Sequence, residues 1–303
     1  MEIRQICYVL EVAKYRNFSK AAKALYITQP TISQQISALE TELQTKLFER
    51  STHSVKLTKD GEKFCRYARK VTDAIDDLMT AFDQETASSK AVIKVGVFPF
   101  YRTMGLSKCI SNFFSANANI IGGMEVVDNY EAYDQMSEGG LNFAIIKSRV
   151  NFLRSEFHYD TLRTEKLYAV ISADNPHASD ENFPLQLFGE IPLLTGAPDS
   201  HYYNEMKELL ESAGVQIHVA FTNTKDTTMI REMVADDMGV NIVSEAVAKA
   251  MDGDEIRALP IVPDQEILTL LVYPADKKLT GAELAFRKHI IRTFTDTRGE
   301  EEM

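Results

Sequence analysis

Between Phe18 and Leu43 two short helical patterns follow one another with almost no connection, and few folds accept that arrangement. Ser19 can cap a helix over 20–25, whose alanines at 21, 22 and 24 permit close approach of another helix. Tyr26 and Ile27 make a tight turn. Thr28 can cap the next helix, with Pro30 in its first turn, where a missing N–H costs nothing. On that helix Ile32, Ile36, Leu39 and Leu43 recur at helical spacing and face inward, leaving Gln29, Thr31, Ser33, Gln34, Gln35 and Ser37 outward. A merely solvated helix favours Glu and Lys on its outer face, whereas Gln, Ser and Thr suit base edges and phosphate oxygens. The pattern describes a helix-turn-helix with its recognition helix.

A preceding amphipathic helix carries Ile6, Val9, Leu10 and Ala13 on one face. Beyond the recognition helix, residues 46–50 and 55–57 bracket Ser51, Thr52, His53 and Ser54 in a strand, turn and strand pattern. This predicts a winged variant in which Arg50 reaches the neighbouring groove or backbone. From Thr58 a long helix is expected, with Phe64, Val71, Ile75, Leu78 and Phe82 as an a/d seam and Ala68 filling the first gap. The seam fits a partner helix or a single helix lying on its own domain; charges opposite it, including Arg66, Arg69 and Asp73, favour pairing. The polar run 84–90 ends that helix and forms a hinge.

Taken whole, the 303 residues carry 33 Lys and Arg against 44 Asp and Glu, a net of -11. Such a balance argues against nucleic acid, because a DNA-binding surface is basic. Resolved along the chain the argument fails: residues 1–66 carry 11 basic and 7 acidic residues, whereas 91–303 carry 19 and 32. Asymmetry of that kind can mark a nucleic-acid-binding end. No stretch approaches the roughly 18 uninterrupted apolar residues of a membrane span. The amino terminus lacks a signal peptide's basic and apolar regions, so a cytoplasmic chain without membrane contact is expected. Cys7, Cys65 and Cys109 are too scattered for a disulfide framework or a cysteine-built zinc site.

In the second half, strand-like runs at 91–97, 124–127 and 143–146 alternate with helical patterns carrying Leu106, Cys109, Ile110 and Phe113 and spanning 130–137. This βαβαβ rhythm implies a parallel sheet. A second block places strands at 167–171, 192–194, 219–222 and 240–243 and helices at 201–213 and 227–235; a strand at 268–272 and a helix at 282–294 then return. Two such lobes form a cleft, with ligands at strand carboxyl ends against helix amino termini.

The run Phe18 to Glu40, with its alanine pair and Gln29-Pro30, continues through Leu47-Phe48-Glu49-Arg50 to Leu57-Thr58-Lys59-Asp60-Gly61. Over residues 1 to about 66 it resembles, in register and without gaps, the amino-terminal domain of LysR-type transcriptional regulators. Thr52, His53 and Ser54 stand where family members often have Gly. A looser similarity to the family's effector-binding domain spans 91 to about 295. It includes Ile93-Lys94-Val95-Gly96, the segment 140–145 with Asn142 where the family usually has Asp, and the strand at 239–243.

The resemblance implies an α/β chain: a winged helix-turn-helix DNA-binding domain over 1–58, a linker and dimerisation helix with hinge over 59–90, and an effector-binding domain over 91–303. That last domain would have a two-lobed, periplasmic-binding-protein-like fold, with lobe I at 91–162 and 268–303 and lobe II at 163–267. DNA contacts would fall on Ser19, Thr28, Gln29, Pro30, Thr31, Ser33, Gln34, Ser37, Arg50 and His53. Pocket positions would fall on Pro99, Phe100, Tyr101, Arg102, Thr103, Asn129, Tyr130, Thr195, Gly196, Thr222 and Asn241. Implied partners are double-stranded operator DNA, a second copy through the linker helix in a homodimer or homotetramer, RNA polymerase, and a small-molecule effector, with no metal or other cofactor.

Within that pocket Phe100, Tyr101 and Tyr130 can stack on a planar ligand and Arg102 can pair with its carboxylate. Equally, the aromatics can be core and Arg102 a solvated surface charge. Cys109 lies on an apolar face and reads as a small buried hydrophobe. No G-x-S-x-G, H-E-x-x-H, G-x-x-x-x-G-K-[S/T] or G-x-G-x-x-G occurs and the histidines show no ligand spacing, so no enzyme is expected. A two-lobed solute receptor has no use for a winged helix, and a nucleoid-packing protein is disfavoured by the acidic second domain.

Overall fold

A computed structural model describes residues 1–25, 27–50, 55–86, 91–222 and 225–296. The chain divides into two compact units, Met1–Thr86 and Ala87–Met303. The first unit runs α1 (Ile3–Tyr15), α2 (Phe18–Ala24), α3 (Gln29–Glu42), β1 (Phe48–Arg50), β2 (Val55–Leu57) and α4 (Lys59–Thr86). Asn17, not Ser19, caps α2, its Oδ1 accepting from Lys20 N at 2.9 Å. Phe18 is drawn into the first turn because its buried ring packs edge-on against Phe48 at 5.7 Å. Thr28 caps α3, with Oγ1 accepting from Thr31 N at 3.4 Å and Pro30 in the first turn. Val9, Val12, Ala21, Ile32, Ile36 and Leu39 form the core between these helices. Each large side chain among them contributes about 1.5–3 kcal/mol by leaving water.

Leu43, expected inward, is 37% exposed, because α3 ends at Glu42 and Leu43 becomes its cap. Its place is taken by Glu40, 2% exposed. Strands β1 and β2 pair antiparallel, Phe48 opposite Leu57, as a wing. Gly61 lets α4 start directly beneath it, since a Cβ there would lie 2.0 Å from the Leu47 carbonyl oxygen. At 28 residues α4 is about 42 Å long. It continues through residues 84–86, where the polar run was expected to stop it; 87–90 lie outside the described residues. Its start packs on α1 through Cys65 and Ala68, whereas Tyr67, Val71 and Leu78 stand exposed. The Phe82 side chain lies outside the described residues.

The second unit runs β3 (Ala91–Val97), α5 (Leu106–Ala116), β4 (Ile120–Val126), α6 (Asn129–Ser137), β5 (Phe143–Ser148), β6 (Phe157–Ser172), β7 (Phe183–Pro184) and β8 (Leu193–Thr195). There follow α7 (His201–Ser212), β9 (Val219–Thr222), α8 (Thr227–Ala235), β10 (Asn241–Ser244), α9 (Glu245–Met251), β11 (Ile256–Val262), β12 (Glu266–Pro274) and α10 (Gly281–Asp296). Strands β3, β4 and β5 are parallel, as the βαβαβ rhythm predicts. The whole sheet is mixed, however, in the order β4-β3-β5-β12-β6-β11-β7, with β10 also on β6 and β8-β9 apart. Two antiparallel stretches were not expected: β11, and the first ten residues of β6, which carry no apolar run ahead of the strand expected at 167–171.

The pairing of β6 changes from β12, which reaches Lys166, to β10, which starts at Leu167. One continuous strand thus joins the lobes, and the expected boundary at 162/163 falls inside it. Lobe I is a sheet with α5 and α10 on one face, around Phe113, Phe143 and Phe286, and α6 on the other, around Tyr133 and Ile146.

Candidate nucleic-acid interface and effector cleft

The first turn of α3 is exposed from Thr28 through Thr31 and again at Gln34, with Ser33 and Ser37 half-buried further along. Ser19 is exposed in the first turn of α2. Gln35 is less outward than the pattern suggests, because Gln5 Nε2 donates to its Oε1 at 3.3 Å and ties α1 to α3. Glu40 fixes the far end. Its carboxylate accepts from Leu47 N at 2.9 Å, Phe48 N at 3.2 Å and Lys46 Nζ at 3.0 Å, so the wing hangs from the recognition helix. Burial pushes the Glu40 carboxyl up, but those donors outweigh it and hold it below the usual value. Arg50 closes β1 opposite Val55. His53 and the Arg50 side chain lie outside the described residues.

In the second unit a cavity of about 410 Å³ lies between the lobes. The segment after β3, the start of α6, the end of β8 and the strand β10 supply its walls, as the carboxyl ends of strands should. Lys147, on β5, is its buried cation. It pairs with the Glu165 carboxylate, donates to Thr269 Oγ1 at 2.9 Å and sits 5.2 Å from the Phe98 ring centroid. Burial depresses the ammonium, with Glu165 opposing it. Burial also raises the Glu165 carboxyl, but Lys147 outweighs that and holds it low. At the mouth Lys225 of lobe II meets Glu131 of lobe I at 2.6 Å, both partly exposed.

Beside the cleft, His201 and Glu205 are each 1% exposed on successive turns of α7. Burial depresses the imidazole to about 4, against the nearby Asp128 charge. Burial raises the Glu205 carboxyl to about 7, although Arg149 N and Ser148 Oγ donate to it. Both are therefore neutral through the mildly acidic range, and their 3.7 Å approach is not an ion pair. Asn129 Nδ2 donates to Lys147 O at 2.8 Å and lies 3.1 Å from His201 Nδ1, linking α6 to α7 across the lobes.

Of the expected pocket residues, Pro99, Phe100, Asn129, Tyr130, Thr195, Gly196 and Asn241 line the cavity. Tyr101, Arg102, Thr103 and Thr222 do not. Tyr101–Met104 winds into a 3-10 turn directly after Phe100, and that pitch fans successive side chains apart. Tyr101 turns into the lobe I core, and Arg102 faces a separate shallow groove, its Nε 3.3 Å from Tyr101 Oη. Thr103 Oγ1 donates to Phe100 O at 2.8 Å, and Thr222 is exposed on β9. Gly196 is needed at its position, since a Cβ would lie 2.6 Å from Ser200 Oγ, the cap of α7.

Sequence reasoning missed Lys147, Glu165, Lys225 and Ser244. For Lys147 a signal existed: a lysine ending the otherwise apolar Phe143–Ile146 run. Ser244 precedes α9, a seven-residue helix too short to show a period.

The helix-turn-helix pattern described as bacterial regulatory helix-turn-helix protein, lysR family, matches residues 3–62, and the LysR substrate binding domain matches 87–295. The uncharacterized HTH-type transcriptional regulator YwbI of Bacillus subtilis is 24% identical over 290 residues, covering 95% of each chain. Full-length BenM superposes with a TM-score of 0.58 at 20% identity, covering 98% of each chain. Full-length CbnR complexed with its target DNA superposes with a TM-score of 0.52 at 22% identity, covering 97% of this chain and 100% of that one.

Proposed function

This chain belongs to the LysR family of DNA-binding transcriptional regulators, and from that premise we propose that two copies read a dyad-symmetric operator and respond to a small molecule held between the lobes. The observation that carries the reading is the first turn of α3. Gln29 and Thr31 are exposed there and Gln34 on the next turn, on a helix anchored by Ile32, Ile36 and Leu39. Direct readout requires hydrogen-bonding side chains on a rigid support. CbnR, whose fold this chain shares, is held with its target DNA.

A second copy is supported by α4, whose Val71 and Leu78 are exposed at seam spacing. Pairing through that seam brings two recognition helices to two half-sites. A further pairing of dimers gives a tetramer, and the DNA-bound assembly acts on RNA polymerase in the cytoplasm, as a regulator and not a catalyst. The effector shifts the assembly only if it binds two quaternary arrangements with different affinity.

The test is replacement of Gln29 or Ser33 by Ala in the full chain. Operator affinity falls by about 1–3 kcal/mol, while thermal stabilisation by a cleft ligand is unchanged. Unaltered operator affinity in both variants removes α3 from the role of reader.

A further inference from the structure

We propose that the molecule held in this cleft is uncharged: a hydroxyl- or amide-bearing compound with an apolar body, recognised through its O–H or N–H groups and not through a carboxylate or phosphate. The proposal rests on the reading of the cleft as the effector site and names the chemistry that fits it.

Positive charge facing the cavity is already engaged by the chain. Lys147 is held by Glu165 and Thr269, and Lys225 by Glu131. Among the described residues four helices begin at the wall, and each amino terminus meets a carboxylate of the protein, that of α9 through Ala246 N donating to Glu165 Oε1 at 3.0 Å. Asp128 accepts from Tyr130 N at 2.9 Å in α6 and from His201 N at 3.2 Å in α7. Asp226 accepts from Thr228 N at 3.0 Å and Met229 N at 3.1 Å in α8. The partial positive ends that would attract an anion are therefore neutralised. Among the described residues five acidic side chains line the cavity against two lysines, so its field repels a further negative charge. Arg102, the cation that the sequence offered to a ligand carboxylate, faces another groove.

Three polar atoms of the wall remain to be satisfied by a ligand. Thr195, Asn241 and Ser244 line the cavity at 2%, 4% and 3% exposure, and Thr195 Oγ1, Asn241 Oδ1 and Ser244 Oγ have no hydrogen-bond partner among the described residues. The orientation of the Asn241 amide is fixed. Its Nδ2 donates to Leu194 O at 2.6 Å and is hydrogen-bonded to Tyr202, whose own proton goes to Ile242 O. Oδ1 is what remains, and it can only accept. A carboxylate or phosphate oxygen there would set acceptor against acceptor, whereas a hydroxyl or amide N–H completes the bond. The hydroxyls of Thr195 and Ser244 take either role. Phe98, Phe100, Ile230, Val247 and Ile267 supply an apolar surface for the rest of the ligand.

The test is calorimetric titration of the full chain with sets that share a skeleton: benzyl alcohol, benzamide, benzoate and benzylamine, and glucose, glucuronate and glucosamine. In at least one set the neutral member binds about tenfold more tightly than its charged counterparts. Asn241→Leu removes that preference, Asn241→Ser retains part of it, and Glu165→Gln, which releases Lys147, raises carboxylate affinity by about tenfold. A carboxylate or ammonium member that binds the wild-type chain more tightly than its neutral counterpart overturns the proposal and leaves the cleft as a binding site. Binding by no member, or binding indifferent to both Asn241 variants, overturns the proposal and the effector-site reading together.

Discussion

Asn142 donates from Nδ2 to the Glu283 carboxylate at 2.7 Å, across 141 residues of chain. Its Oδ1 accepts from Lys94 N at 2.8 Å, so one amide joins β3, the start of β5 and the first turn of α10. Glu283 is 3% exposed and also holds Lys277 Nζ at 2.5 Å and Thr280 N at 2.9 Å. The usual family residue, Asp, would place a second carboxylate against the first. Asn142→Asp should therefore destabilise the second unit by about 1–3 kcal/mol at pH 7. Glu283 is held low, because Lys277 and the other donors outweigh the burial that raises it, so its contribution is present above the ordinary carboxyl value and lost as pH falls. In the variant one of the two facing carboxyls takes up a proton as pH falls, so the deficit against wild type shrinks on acidification. Urea titrations of both chains at pH 7 and pH 5 check this; a deficit that does not narrow at pH 5 refutes it.

Glu40 does the corresponding work in the first unit. Glu40→Ala leaves Leu47 N and Phe48 N without their acceptor and should cost about 2–3 kcal/mol of that unit's stability. Operator affinity should fall more than the intact recognition turn alone would explain, because the wing loses its attachment. Footprinting that compares the wing-proximal and helix-proximal positions reads this out, and uniform protection in the variant would argue against it.

The neutral pair His201 and Glu205 predicts a pH signature. Between about 4.5 and 6.5 the unfolded chain holds one proton on the imidazole and the folded chain holds one on the carboxyl, so the pair contributes no slope to stability. His201→Gln leaves a carboxyl whose folded value is raised to about 7, so stability falls as pH rises from about 4.5 to 7. Glu205→Gln leaves an imidazole depressed to about 4, so stability rises with pH from about 4 to 6.5. Opposite slopes in the two variants, measured by thermal unfolding, are the expected result; slopes of the same sign contradict it.

Lys225 and Glu131 span the mouth of the cleft at 2.6 Å, but their side chains are 38% and 49% exposed. Lys225→Met should change unfolding stability by less than about 1 kcal/mol. Its effect belongs in kinetics: a cleft ligand should dissociate several-fold faster, and the difference should vanish at high salt. A stopped-flow comparison at low and high salt checks both halves.

What the sequence disclosed and what it hid follow from how local each determinant is. The recognition helix was legible because Thr28, Pro30, Ile32 and Ile36 act within two turns. Leu43 was misplaced because the end of α3 is decided by Glu40, whose partners Leu47 and Phe48 lie beyond the helix. Helices α7 and α8 and strand β9 showed their periods, and seven of the eleven pocket positions line the cavity. The 3-10 turn after Phe100 was not visible, and it keeps Tyr101, Arg102 and Thr103 from lining the cavity with Phe100; of the two readings left open, Tyr101 takes the core position and Arg102 the surface one. Lys147 and Glu165 meet across two strands, and such pairing has no trace in spacing. Asn241 was found, but the orientation of its amide depends on Leu194 and Tyr202, which only the fold brings together.

Reading of a dyad by two copies of this chain through α3 is open to selection of bound duplexes from a random library with the full chain, repeated with Gln29→Ala. Two half-sites related by a two-fold axis are expected, their centres separated by about 10 base pairs or a multiple of it, with the base preference of each half-site relaxed in the variant. A single unsymmetrical site, or no enrichment of sequence over random DNA, would contradict it.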